Sequence, residues 1–93
     1  MAVDLVTETF EPRIGDQFGA TPTYSGEPLT LVLTSCVESP HARPDHPAFA
    51  LLFDSSEPNP REQQIFVLEH PDLGSFDLFL VPVGPQEYEA VVN

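Results

Sequence analysis

The stretch that decides the fold covers residues 63–83 and reads QQIFVLEHPDLGSFDLFLVPV. Apolar and polar residues alternate on both sides of a Pro-Asp-Leu-Gly segment, which is the pattern of two strands that each bury one face. Pro71 presets a type I turn, and Gly74 can supply a left-handed residue. The stretch therefore predicts an antiparallel hairpin. We expect His70, at its tip, to hydrogen-bond across the turn rather than to act as a general base or pH switch.

Further runs on both sides of this hairpin also have the pattern of strands. They cover residues 17–23, 29–37, 49–53 and 88–92. Eleven Pro and five Gly divide the chain into short pieces. No crossover helix fits between the strands, so a parallel sheet is excluded. The strand over residues 75–83 is apolar on both faces near its end and is predicted to be central, whereas the last strand is predicted to be an edge.

The sequence thus predicts one mainly β domain over residues 1–93, with a short helical turn in residues 1–15 and a β domain in residues 16–93. About six antiparallel strands would form either a small barrel or a two-layer sandwich. In the helical turn, Thr9 is the expected N-cap and Gly15 the expected end. Phe10 and Ile14 are four residues apart, so they are expected to share a face and cover one end of the core.

The charge is strongly negative. Fifteen acidic residues face three basic ones, all arginine, which gives a net charge of −12. Such a chain repels nucleic acid and anionic membrane surfaces, so we expect neither as a direct partner. Two explanations of the acidity stay open: solubility with protection of sheet edges, or a partner with a basic surface, including mimicry of nucleic acid.

The single cysteine, Cys36, excludes an internal disulfide and with it the class of stapled secreted mini-proteins. The first residues have no basic region and no long apolar run, so they do not read as a signal peptide. No apolar stretch approaches the roughly 20 residues that cross a bilayer. We therefore expect a cytoplasmic protein, with export by a route without a signal as the open alternative.

Several motifs resemble a family of small bacterial domains of unknown function. They are Leu-Glu-His-Pro-Asp-Leu-Gly at residues 68–74, Phe-Leu-Val-Pro-Val-Gly at 79–84, Tyr-Glu-Ala-Val-Val-Asn at 88–93, Phe-Glu-Pro-Arg-Ile-Gly at 10–15, and Leu-Leu-Phe at 51–53. The resemblance covers nearly the whole chain. It implies an accessory or assembly role near phage-tail-like proteins, and it carries over no catalytic residue.

The residue types that could support chemistry do not form a known pattern. His41 and His46 flank Asp45 in a Pro-rich loop and could ligate zinc, but their spacing matches no established motif. The candidate nucleophiles lack a recognisable base and orienting group. They are Ser35, Cys36, Ser55 and Ser56. We therefore expect that the protein is not an enzyme and that it has no catalytic residue, metal or cofactor.

A non-catalytic protein-interaction or assembly domain of a bacterial system is the leading hypothesis. It would bind another protein through loops 39–47 and 55–61, or form a homo-oligomer through an edge strand at residues 88–92. An acidic inhibitor that occupies a basic nucleic-acid-binding surface, and a small-molecule-binding or hydrolytic domain, are the alternatives. The candidate partner-binding residues are His41, Arg43, Asp45, His46, Glu57, Asn59, Arg61 and Tyr88.

Overall fold

A computed structural model describes residues 5–24, 27–40, 42–43, 48–55 and 63–92. A short helix, α1 (Thr7–Phe10), and a 3-10 turn (Glu11–Arg13) precede six strands. The strands are β1 (Gln17–Pro22), β2 (Leu29–Glu38), β3 (Phe49–Ser55), β4 (Gln64–His70), β5 (Gly74–Gly84) and β6 (Glu87–Val92). All neighbouring strands are antiparallel, and they close into a barrel in the order β1-β2-β3-β6-β5-β4. The mainly β prediction is confirmed, and of its two arrangements the barrel is the correct one.

The core of the barrel consists of the inward residues of the alternating strands. In β5, Phe76, Leu78 and Leu80 are buried while Asp77 and Phe79 between them are exposed. This two-residue period follows from the pleat, which sends successive side chains to opposite faces. The other large side chains that are fully buried on the strands are Phe18, Leu31, Leu33, Phe49, Leu51, Phe53, Phe66, Leu68 and Tyr88.

The N-terminal helix closes one end of the barrel through Phe10. The ring of Phe10 is fully buried, and its centroid lies 5.9 Å from that of Phe49 and 5.8 Å from that of Phe76. Ile14 does not share this position, because the backbone becomes extended there after the 3-10 turn, and its side chain is 46% exposed. The prediction is therefore confirmed for Phe10 and wrong for Ile14.

Two local predictions at the turns have opposite outcomes. Thr9 is not the N-cap: the helix begins at Thr7, after an extended Val6 that has no side-chain capping bond. The glycine predictions are confirmed, since φ is 98° at Gly15 and 77° at Gly74, values that only glycine adopts readily. The hairpin between β4 and β5 therefore forms at the predicted turn.

The last strand is not an edge. β6 pairs with β3 over its whole length and with β5 from Glu87 to Glu89. The closed order of the strands is the physical reason, because β3 occupies one side of β6 over its whole length and β5 occupies the other side from Glu87 to Glu89. The prediction that residues 88–92 form an edge strand is therefore wrong, whereas homo-oligomer formation itself stays a prediction. Within the described residues, no helix has the length and apolar character needed to span a bilayer.

Candidate interaction surface

Most of the predicted partner-binding residues lie outside the described residues. These are His41, Asp45, His46, Glu57, Asn59 and Arg61. Arg43 is described and exposed. At the base of its loop, the N–H of Ser39 donates to the carbonyl of Ala48 at 2.8 Å, and the N–H of Ala42 donates to that of Ser39 at 3.0 Å. The structure therefore keeps Arg43 available at the surface.

Tyr88 must be removed from the predicted surface residues. Its side chain is fully buried and stacks edge-to-face on Phe66, with ring centroids 5.5 Å apart. The inward position in β6 is the cause, because Glu87 and Glu89 on either side take the outward positions. The hydroxyl has no hydrogen-bond partner among the described residues, and burial raises the pKa of Tyr88.

His70 has the structural role expected from its place in the hairpin. The backbone N–H of Asp72 donates to its Nδ1 at 3.1 Å, so the neutral ring carries its proton on Nε2. Nε2 then donates to Oδ2 of Asp16 at 2.9 Å. The ring also lies 4.8 Å, centroid to centroid, from Phe18. Both ring nitrogens are engaged, which leaves neither to take a proton from a substrate.

Cys36 has the environment of an inert thiol. It is partly buried against the core, and burial, followed by the charges of Glu11 and Glu8, raises its pKa. A raised pKa lowers the population of thiolate, which is the nucleophilic and metal-binding form. The described residues also contain no group of three or more His, Cys, Asp or Glu side chains placed to hold a metal ion. Cys36 is therefore a poor candidate for either chemistry.

An exposed apolar surface crosses the outside of the barrel. Val37 pairs with Ala50 across β2 and β3, and Ala50 pairs with Val91 across β3 and β6. Val37 is 60% exposed and Val91 is 61% exposed. Since residues that pair directly on one face have Cβ atoms about 5 Å apart, these three side chains form one continuous line.

A second pair of outward apolar residues lies on β5 and β4. Phe79 pairs with Ile65, and both face outward, 49% and 46% exposed. Val81 of β5 pairs with Glu89 of β6, and the next outward residues along these strands are Phe79 and Val91. We call Val37, Ala50, Val91, Phe79 and Ile65 the apolar row; it extends over five of the six strands.

Acidic side chains lie beside this row. Glu89 lies between Leu52 of β3 and Val81 of β5, both partly buried outward residues. Asp77 follows the row on β5, and Asp54 and Glu87 are an outward pair on β3 and β6. Beside Val81, a shallow groove of about 460 Å³ runs along residues 81–85 and Gln63. An apolar centre with a charged border is the general anatomy of a protein–protein interface.

Sequence reasoning did not find the apolar row, although part of its signal is visible. Phe79 and Val81 occupy positions that the alternation of β5 assigns to the outer face, and we interpreted them as signs of a strand buried on both faces. The rest of the row depends on the register between β3 and β6, which places Val91 beside Ala50. No local pattern in either strand reports that register.

Comparisons with known proteins identify a family only. A family model described as Domain of unknown function (DUF6916) matches residues 5–92. Searches of curated proteins and of solved structures found no match to the chain.

Proposed function

The chain belongs to the DUF6916 family of domains of unknown function, and from that premise we propose that it is a non-catalytic protein-interaction domain that binds its partner through the apolar row. The single observation that carries the proposal is the set of outward apolar side chains on five strands. Four of these side chains, those of Val37, Val91, Phe79 and Ile65, are between 46% and 61% exposed. Soluble proteins rarely leave contiguous apolar surface uncovered unless it contacts something.

The environments of the residues that could take part in catalysis also favour a non-catalytic function. His70 is held at both nitrogens, and the pKa of Cys36 is raised. These environments do not favour either residue as the base or nucleophile of a hydrolytic domain. The resemblance noted in the sequence favours a particular form of the function, an accessory role in assembly beside phage-tail-like proteins of a bacterial system, and we include that form in the proposal.

The competing hypothesis of a nucleic-acid mimic receives less support. A mimic needs its acids concentrated where a basic surface would read them. The acidic residues in the described part of the chain lie on α1, on the 3-10 turn, on each strand from β2 to β6 and, for Asp16, Glu27 and Asp72, in the connections between elements. A mimic bound mainly by exposed charge pairs would dissociate sharply between low and moderate salt, whereas an interface centred on the apolar row would persist.

Two exposed apolar residues of the row provide the test. The double variant Phe79→Ser and Val91→Ser removes apolar contact while changing no charge. Ile14→Ser is the matched control, since Ile14 is an equally exposed apolar residue away from the row. Each protein would be used to capture partners from its native cell, and the captured partner would be purified and its affinity measured.

The double variant should bind at least about tenfold more weakly than the wild type, as expected when central apolar contacts of an interface are truncated. The control should bind like the wild type, and far-UV circular dichroism should show that all three proteins are folded. Equal affinity of the double variant and the wild type for that partner would refute the proposal.

A further inference from the structure

The position of Glu89 restricts what can cover the apolar row. Its carboxylate lies on the outer face between Leu52 and Val81. The carboxylate of Glu89 has no hydrogen bond or ion pair with any other described residue of the chain. A partner that covers both Val91 on β6 and Phe79 on β5 comes against Glu89 as well, since Glu89 is the next outward residue from Val91 and pairs with Val81, the next outward residue from Phe79.

Covering a carboxylate with apolar surface is strongly unfavourable. A buried charge that is left unpaired loses its hydration and gains nothing in return, so buried charges in proteins are almost always paired and hydrogen-bonded. The surface opposite Glu89 must therefore contain a cation. Arginine suits this position best, because its guanidinium can bind a carboxylate with two parallel hydrogen bonds.

A second copy of this chain is a poor source of that cation. The chain contains three arginines and no lysine. Of the two arginines in the described residues, Arg13 lies on the 3-10 turn, where its Nη1 donates to the carbonyl of Thr9 at 2.7 Å, and the exposed Arg43 lies in the connection between β2 and β3. Two copies, each with a net charge of −12, would repel one another.

We infer that the occupant of the apolar row is a different protein with a basic, apolar-centred surface, which brings an arginine or lysine side chain to the Glu89 carboxylate. The inference rests on the proposed function and deepens it by naming the chemistry of the partner. The acids at the border, Asp54, Asp77 and Glu87, would attract such a surface and increase its association rate, while the apolar row would hold it.

The probes for the test are three peptides of equal length. One alternates leucine with arginine, the second alternates leucine with serine, and the third alternates leucine with glutamate. Each would be titrated into the ¹⁵N-labelled protein, and binding would be followed through the amide signals of Val37, Ala50, Phe79 and Val91. Glu89→Gln is the test variant. Glu69→Gln is the matched control, since Glu69 is an outward acid on β4 beyond the row.

We expect the leucine–arginine peptide to shift the amides of the row and to bind about tenfold more tightly than the leucine–serine peptide, the size of one charge-assisted contact. Glu89→Gln should remove most of that preference, and Glu69→Gln should retain it. The leucine–glutamate peptide should not bind.

The outcomes separate the inference from the function on which it rests. If the leucine–serine peptide binds the row as tightly as the leucine–arginine peptide, or if Glu89→Gln keeps the preference, the inference is wrong and the proposed function stands. If no peptide shifts the amide signals of the apolar row, the proposed function is refuted as well, because the row then binds none of the probes. Concentration-dependent dimerisation of the free protein, abolished by Phe79→Ser, would identify a second copy as the occupant and overturn the inference.

Discussion

Replacement of Tyr88 by phenylalanine should stabilise the domain, because it removes a buried hydroxyl for which the described part of the chain provides no hydrogen-bond partner. The ring lies in the core against Phe66 and is fully buried. A buried hydroxyl without a partner costs about 1–3 kcal/mol of desolvation. Loss of the oxygen leaves a void of roughly 10 Å³, which at about 24 cal/mol per Å³ costs roughly 0.3 kcal/mol. The expected net gain is therefore about 1–2 kcal/mol.

Urea unfolding followed by far-UV circular dichroism measures this gain. With an m value of about 1–2 kcal/mol per molar for a domain of this size, the midpoint should rise by roughly 1 M. The melting temperature should rise by about 4–8 °C for each kcal/mol.

Tyr24→Phe is the matched control, since it removes the same hydroxyl from a ring that is 85% exposed. It should change the free energy of unfolding by less than about 0.5 kcal/mol. If Tyr88→Phe instead lowers the free energy of unfolding by about 1 kcal/mol or more while Tyr24→Phe has no effect, the hydroxyl of Tyr88 has a partner and the reasoning is refuted.

Three other predictions concern the pH dependence, the hairpin and the barrel end. Burial raises the pKa of Tyr88 above its ordinary value of 10.0, so the folded protein keeps the phenol proton after the unfolded chain has lost it. This contribution to stability is fully present below about pH 10 and is lost as the pH rises beyond it. The advantage of Tyr88→Phe over the wild type should therefore increase between urea titrations at about pH 8 and about pH 11. His70→Ala should lower the free energy of unfolding by about 2–4 kcal/mol, because it removes two hydrogen bonds and the contact with Phe18. Phe10→Ala should cost about 3–5 kcal/mol in the same assay, whereas the half-exposed Ile14→Ala should cost less than about 1 kcal/mol.

Each of these three has a result that would contradict it. A constant difference between Tyr88→Phe and the wild type at both pH values would mean that the phenol ionises equally easily in the folded and unfolded states. A loss below about 1 kcal/mol for His70→Ala would mean that its two hydrogen bonds are replaced by water at no cost. Equal losses for Phe10→Ala and Ile14→Ala would mean that both residues cover the core.

The parts of the fold that local pattern specifies were predictable. Alternation assigned Leu31 and Leu33 of β2, and Leu78 and Leu80 of β5, to one face each, and all four are buried. The turn at Gly74 followed from its residue types. These features depend on neighbours within a few positions, where the geometry of the chain leaves few choices.

The parts that depend on pairing between distant segments were not predictable. Nothing in β6 indicates that its neighbours are β3 and β5, and for this reason the sequence alone predicts an edge strand and a surface position for Tyr88. The apolar row also depends on pairing between distant segments. Val37, Ala50 and Val91 form a line only once two registers between separate segments are set. The partner-binding residues in loops 39–47 and 55–61 are predicted from composition. Composition indicates a loop better than it indicates a contact surface.

The position of β6 between β3 and β5 also has a consequence for biosynthesis. Among the six strands β6 is the last to leave the ribosome, yet it supplies the piece that joins the two halves of the sheet. Until Glu87–Val92 emerge, β3 and β5 lack a neighbour and expose unpaired backbone together with the phenylalanines of the unfinished core. Closure must therefore follow synthesis of the last strand and proceed through long-range pairing, for which folding times of milliseconds to seconds are typical. A stalled or truncated chain that lacks β6 would be a natural substrate for chaperones and proteases.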